Sequence, residues 1–218
     1  MFIVSPSIYS ADLLRLADVL DSVQKMENLH IDIDDGNFVR GISFGADTVQ
    51  AIASYTDIPL DVHLEVMNPC DYVEALCRTG IRRLCAHIEV LPYPYLFLSD
   101  VKRRGVKAGL SLNLKTPVHL LEPYARDVDH VLLVSVEADH EGLPFRPGVL
   151  DKIVEARKIL PKETAIWVDG GINDANLREV VIAGADAVVM GRAVFDEPNP
   201  AATWKYYRDR GEAYRAER

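Results

Sequence analysis

Two short segments of the chain place ionisable side chains at every second position. In Leu29-His30-Ile31-Asp32-Ile33-Asp34 the residues His30, Asp32 and Asp34 alternate with isoleucine, and in Leu60-Asp61-Val62-His63-Leu64-Glu65 the residues Asp61, His63 and Glu65 alternate with Val62 and Leu64. A period of two is that of a β-strand, whose successive side chains point to opposite faces. Each segment therefore carries its ionisable groups on one face. The plain structural explanation is the wet face of a half-exposed strand. In an all-parallel sheet both faces are covered and strands run apolar, so charged ladders there need another reason. Buried charges persist by pairing with one another or by binding metal. Asp169 adds a further carboxylate, after Ile166-Trp167-Val168 and before Gly170-Gly171, although Asp-Gly-Gly alone is also good turn chemistry. Together His30, Asp32, His63 and Asp169 supply two imidazoles and two carboxylates. That donor set suits one divalent transition metal, Zn, Fe, Mn or Co, and argues against Ca or Mg. His87 and Glu89 end a fourth apolar run and read as support for the ligands or as plain core, while His119, His130 and His140 read as solvated or structural.

Such groups meet only if the strands that carry them are neighbours with their ends at one face. Apolar, β-branched runs recur at residues 2–4, 29–33, 60–64, 83–88, 107–112, 130–134, 165–168 and 187–190. Helix-period segments lie between them at 11–25, 46–55, 69–79, 95–104, 117–125, 147–160, 174–183 and 201–214. The first shows Leu13, Leu16, Ala17, Leu20 and Val23 on one helical face. Pro69, Pro117 and Pro147 stand where a first helical turn tolerates proline, and Gly80, Gly105 and Gly184 punctuate helix from strand. The unit repeats about every 27 residues with no long linker, which predicts an α/β chain folded as a single (β/α)8 TIM barrel over residues 1–218. The alternative, a doubly wound open sheet, needs a glycine-rich turn after the first strand, and Ser5-Pro6-Ser7-Ile8-Tyr9-Ser10 has none. A barrel places function at the C-terminal strand ends.

Composition bounds the partners. With 218 residues, 49% hydrophobic and 26% charged, the chain is an ordinary globular sequence. A net charge of -9 repels phosphate backbones and anionic lipid, so neither nucleic acid nor membrane is expected as a partner. Cys70, Cys77 and Cys85 are odd in number and form no C-x-x-C, which reads as reduced, mostly buried thiols in a reducing compartment. No basic-then-apolar leader opens the chain and no apolar run reaches the ~18 residues of a membrane span, so the expected location is the cytoplasm.

At these residues the chain resembles the ribulose-phosphate 3-epimerase family, from about residue 3 to residue 195. The resemblance rests on an ordered set of motifs: S-P-S-I-Y-S-A-D at 5–12, H-I-D-I-D-D-G-N-F-V at 30–39, L-D-V-H-L at 60–64, H-I-E at 87–89, L-N-L-K-T-P at 112–117, V-D-G-G-I at 168–172 and M-G-R-A-V-F at 190–195. It implies a metal-dependent barrel that inverts C3 of a ketose phosphate through an enediolate. It also implies that His30, Asp32, His63 and Asp169 are the metal ligands and that Asp32 and Asp169 are the catalytic proton-transferring pair. Ser7 falls on a substrate-contacting serine, and phosphate would meet backbone N–H groups after strands seven and eight at Gly170, Gly171, Gly191 and Arg192.

The departures from the family pattern carry their own implication. The family usually has methionine where this chain has Asp34 and Glu65, so two carboxylates stand where substrate hydroxyls pass, and both are counted with the substrate-binding residues. The loop Ala138-Asp139-His140-Glu141-Gly142-Leu143 replaces a glycine-rich phosphate loop, Arg192 stands where small residues are common, and Asn37 and Arg40-Gly41 replace His and Pro-Asn. These changes imply a preferred substrate other than D-ribulose 5-phosphate within the same reaction class, a different ketose phosphate or a non-phosphorylated ketose. Two other functions compete. A lyase of the D-x-K-x-x-D kind needs a strand-end lysine that D-V-H-L-E-V lacks, and a non-catalytic sugar- or metal-binding barrel needs none of the proton-transfer pair. The expected partner is a small-molecule sugar phosphate. The aromatic stretch Trp204–Arg210 reads as the last barrel helix resting on strand one, with a homo-oligomer contact as the alternative.

Overall fold

A computed structural model describes residues 1–137 and 143–218. Residues 138–142, and with them most of the loop after strand six and His140, lie outside the described residues. Every apolar run forms a strand: β1 Ile3–Pro6, β2 Leu29–Asp34, β3 Leu60–Glu65, β4 Arg83–His87, β5 Lys107–Leu112, β6 His130–Val134, β7 Ala165–Asp169 and β8 Ala187–Met190. All pairings are parallel, in the order β1-β8-β7-β6-β5-β4-β3-β2. A bridge between Ser7 and His30 draws β1 toward β2, so the sheet is a nearly closed barrel. Helices alternate with the strands, as parallel strands require of their crossovers. They are α1 Leu16–Ser22, α2 Ala46–Tyr55, α3 Val73–Arg78, α4 Pro94–Arg103, α5 Val149–Ile159, α6 Leu177–Ala183, α7 Arg192–Phe195 and α8 Pro200–Ala216. The chain is a single (β/α)8 barrel, and no helix of the described residues is long and apolar enough to cross a membrane.

Local chemistry explains where the elements depart from the periodicity. The stretch 117–125, expected as a helix, forms a 3-10 segment, Val118–Tyr124, because Pro123 inside it lacks an N–H and its ring obstructs the preceding turn. The first helix is preceded by two 3-10 turns, each started by a side-chain cap: Ser7 Oγ accepts from the Tyr9 N–H and Asp12 from the Leu14 N–H. Helix α7, outside the periodic segments, follows β8 directly and begins after Gly191. The glycine stops at 80, 105 and 184 take positive φ, +81°, +81° and +129°. Helix α4 buries Pro94, Phe97, Leu98 and Val101, the i, i+3, i+4, i+7 stripe of a one-faced helix. On α8, the Trp204 indole N–H donates to the Val4 carbonyl at 3.0 Å and Gly211 lies on the Phe2 ring, so the last helix does rest on β1. The cysteines are all free thiols, but only Cys85 is buried; Cys70 is exposed on the turn before α3 and Cys77 half-buried on that helix.

Two apolar cores result. The larger lies between strands and helices, and the smaller, Cys85, Leu132, Trp167, Ala187 and Val189, lies inside the ring. Below the inner core, Asp61 accepts from Arg82 at 3.1 Å, Arg83 at 2.9 Å and the Asn28 amide at 2.8 Å. Asp61 shares a face with His63 but sits one layer lower, so it belongs to the closed floor of the barrel and not to the open end.

Candidate active site

The register of β2 with β3 pairs Asp32 with His63 and Asp34 with Glu65, so the two ladders stand side by side. His30 Nε2 lies 3.0 Å from Asp32 Oδ1, and His63 Nδ1 lies 3.2 Å from the same oxygen. The other carboxylate oxygen, Oδ2, accepts the Ser7 hydroxyl at 2.8 Å. Asp169 enters from the end of β7, and His30, Asp32, His63 and Asp169 each bring one donor atom within 4.8 Å of the others. Both imidazoles are buried. Strands β1 and β8 separate β2 from β7, so Ser7 and Val189 lie between the two aspartates. Asp32, Asp169, Ser7 and Val189 share a cavity of about 480 Å³, with Gly171 and Arg192 also on its wall. Pockets of this size hold small ligands.

Gly170 and Gly171 are required by the backbone. Their φ values are +114° and +64°, and a Cβ on Gly171 would come 2.9 Å from the Phe145 nitrogen. The Ser135 hydroxyl donates to the Asp169 carbonyl at 2.7 Å and also to that of Gly170, which fixes the turn. All four residues expected near phosphate, Gly170, Gly171, Gly191 and Arg192, line the cavity, but the Gly170 N–H turns back to the Asp169 carboxylate, which leaves Gly171, Gly191 and Arg192 to meet an anion.

Charge separates the two aspartates. Burial opposes ionisation of Asp32, but the adjoining His30 and His63 imidazoles overcome it and hold the carboxyl well below the usual range. Burial would lower His30, and the Asp32 carboxylate beside it raises it instead, to about 9. Asp169 is raised to about 7, by burial first and then by the Asp32 charge. Asp34 and Glu65 stand beside this group, away from the wall of the cavity. Burial, with Glu65 and Asp32 adding, pushes Asp34 up to about 8, and burial pushes Glu65 up to about 7. Asp34 Oδ1 is buried without a hydrogen-bond partner.

Several supporting residues escape sequence reasoning. The Ser43 hydroxyl accepts from the Asp34 N–H at 2.9 Å and donates to the Asp32 carbonyl at 2.7 Å, tying down the end of β2. Asp35 accepts from the N–H groups of Asn37, Phe38 and Met67, each at 2.8 Å, and joins the loops after β2 and β3; the only sequence signal is the turn-forming run Asp35-Gly36-Asn37. His87 and Glu89 prove to be part of the polar network. His87 Nε2 lies 3.0 Å from His63 Nε2, 3.3 Å from Ser111 Oγ and 3.5 Å from Glu65 Oε1. His87 Nδ1 lies 3.2 Å from Glu89 Oε2, and the other Glu89 oxygen accepts the Asn113 N–H at 2.8 Å and the Thr116 hydroxyl. Against the cost of burial, these donors bring Glu89 down to about 2. The Phe38 ring covers His87 at 4.6 Å between centroids.

Comparison with known proteins follows the same outline. The model of the ribulose-phosphate 3 epimerase family matches residues 3–195. The ribulose-phosphate 3-epimerase of Bacillus subtilis is 38% identical over 203 residues, covering 90% of this chain and 94% of that one. The enzyme of that name from Synechocystis is 38% identical over 206 residues, 91% and 90% of the two chains. A cytoplasmic isoform from Oryza sativa is 34% identical over 203 residues, 90% and 89%. Among solved structures, orotidine 5'-phosphate decarboxylase from Pyrococcus horikoshii superposes with a TM-score of 0.68 over 97% of this chain and 99% of its own, at 16% identity, a likeness of fold alone.

Proposed function

The chain belongs to the ribulose-phosphate 3-epimerase family, and on that premise we propose that it inverts C3 of a ketose phosphate by proton transfer between Asp32 and Asp169. The observation that carries this reading is that two carboxylates of opposite disposition meet in one cavity, from strands separated by β1 and β8. Inversion needs a base on one face of the substrate and an acid on the other. Pairs of titratable groups whose surroundings drive them apart supply those roles. Asp32, held ionised by His30, His63 and the Ser7 hydroxyl, is suited to take the C3 proton, and Asp169, raised by burial and by Asp32, is suited to return one. For the reverse substrate the roles exchange.

The residues fit a divalent transition metal. His30, Asp32, His63 and Asp169 are N and O donors that converge within 4.8 Å, in a layer where burial first, and then neighbouring carboxylates, push Asp34, Glu65 and Asp169 up. Held by these four residues, such an ion would supply Lewis-acid polarisation of a substrate ketone. Its charge would favour the ionised form of both aspartates, so the difference between their surroundings, more than either value alone, supports the roles. Ser7 orients Asp32, while Gly171, Gly191 and Arg192 form the end of the cavity suited to phosphate. Lyase chemistry of the D-x-K-x-x-D kind would need lysine on the β3 ladder, where His63 and Glu65 stand. We place the enzyme in the cytoplasm, the compartment named for the rice relative.

Solvent exchange tests the reading. In deuterated water the protein should invert a ketopentose phosphate and label C3. Asp32→Asn and Asp169→Asn should each cut inversion by about 10²-fold or more, and the double variant should be little worse than either, because the groups act as a unit. Near-normal turnover with either carboxylate neutralised would rule the pair out.

A further inference from the structure

Resting on that metal reading, we infer that Glu89 and His87 are positioning residues that fix the tautomer of His63, and with it the lone pair His63 presents to the ion. His63 has Nδ1 on the Asp32 side at 3.2 Å and Nε2 on the His87 side at 3.0 Å. A neutral imidazole has one protonated and one free nitrogen, and only the free one can be a ligand. For Nδ1 to bind, the ring proton must sit on Nε2. That N–H lies in a fully buried layer and needs an acceptor.

The atom it meets is His87 Nε2, which accepts only if His87 carries its own proton on Nδ1. Nδ1 in turn faces Glu89 Oε2 at 3.2 Å. Glu89 as a carboxylate only accepts, and its second oxygen is already turned to two donors, the Asn113 N–H and the Thr116 hydroxyl. The order of protons is therefore determined end to end: Glu89 accepts from His87, His87 accepts from His63, and the free lone pair emerges at His63 Nδ1. Ser111 Oγ at 3.3 Å and Glu65 Oε1 at 3.5 Å are the remaining polar neighbours of His87 Nε2, both farther than His63. Carboxylate support of a metal-bound histidine is a common arrangement; here one imidazole is interposed.

The isosteric change Glu89→Gln isolates the effect. Asn113 and Thr116 keep the amide oxygen toward themselves, so the NH2 group faces His87 Nδ1. Two donors cannot share that contact, and His87 must move its proton to Nε2. Its N–H then meets His63 Nε2, which must accept, and the His63 proton shifts to Nδ1, the atom meant for the ion. Volume is conserved while every proton in the chain reverses.

The experiment measures zinc affinity of the full chain by chelator competition for the unchanged protein, His63→Ala and Glu89→Gln, with ring-nitrogen NMR of the zinc-loaded unchanged protein. The unchanged protein should bind zinc, His63→Ala should lose it, and Glu89→Gln should bind roughly tenfold or more weakly with an unaltered circular dichroism spectrum. NMR should find the proton on Nε2 of His63 and on Nδ1 of His87. Zinc binding by Glu89→Gln within threefold of the unchanged protein, beside loss in His63→Ala, overturns the relay and leaves the metal reading standing. No zinc binding by the unchanged protein overturns both. Should Glu89→Gln not fold, the tautomers decide: a proton on His87 Nε2 overturns the relay.

Discussion

Acid should weaken this barrel through one buried imidazole that does no chemistry. His130 opens β6, is buried, and lies over Gly109 of β5, where an added Cβ would overlap the ring. Its Nδ1 has no hydrogen-bond partner, and the Trp167 ring lies 6.0 Å away. Burial, with the Arg83 guanidinium adding, lowers His130 to about 3, against about 6.5 for a solvated histidine. Because the folded value is the lower one, the unfolded chain takes up the proton first. The stability is complete above about pH 6.5 and is lost as pH falls toward 3. Integrating that linkage from pH 7 to pH 5 gives a loss of about 2 kcal/mol. Replacing His130 with leucine, of similar volume, removes the titration. The assay is urea unfolding followed by far-ultraviolet circular dichroism on both proteins at pH 7, 6 and 5. The variant should gain about 2 kcal/mol on the unchanged protein across that range, whatever its offset at pH 7. Taking the difference cancels Asp34, Glu65 and Asp169, whose raised values act in the opposite sense in both proteins. A difference that stays flat from pH 7 to 5, or a folded-state His130 titrating near 6 by NMR, would refute the reasoning.

Two further changes probe the phosphate end of the cavity and the carboxylates beside the site. Arg192→Ala should raise KM for a ketose phosphate roughly tenfold or more while sparing kcat, since a charge-assisted contact contributes about 1.5–3 kcal/mol; initial rates measure it, and an unchanged KM contradicts the assignment. Asp34→Met combined with Glu65→Met should raise kcat/KM for D-ribulose 5-phosphate relative to other ketose phosphates, and an unchanged ratio across a panel removes these residues from specificity.

The strands and the four converging donors are legible in the sequence because both follow from periodicity. A period of two assigns a face, parallel topology covers that face, and only residues able to pair or ligate remain stable on it. What periodicity does not assign is depth. Asp61, His63 and Glu65 read alike along β3, yet Asp61 closes the floor with Arg82 and Arg83 while His63 and Glu65 reach the open end. The roles of His87 and Glu89 depend on a neighbour in β3 and on Asn113 and Thr116 beyond β5, contacts between segments that no local pattern announces. Helix α7 spans a single turn, too short for a 3.6-residue period to register. The 3-10 segment before β6 was foreseeable from Pro123, whose effect on a helix interior outweighs the apolar spacing around it.

The same residue type meets opposite fates at the two ends of one barrel, and charge balance explains why. At the floor, Asp61 has two guanidinium partners and an amide, and Arg83 is further engaged over the Trp167 ring at 5.1 Å. Every charge there is answered by protein, so the layer closes the barrel and leaves nothing free to react. At the open end Asp32, Asp34, Glu65 and Asp169 gather around His30, His63 and His87, and the ion pairs of Asp32 and Glu65 there are to imidazoles, not to guanidinium groups as at the floor. Burial, together with neighbouring carboxylates, pushes three of those four carboxyls upward, and the one held low, Asp32, draws on both His30 and His63. A layer built this way is short of positive charge in a place where water cannot supply it. Stability alone would favour an arginine there, as at the floor. Retaining the deficit makes sense when a cation and a polarised substrate are to complete the layer, and that is the physical ground for the proposal that the chemistry is at Asp32 and Asp169.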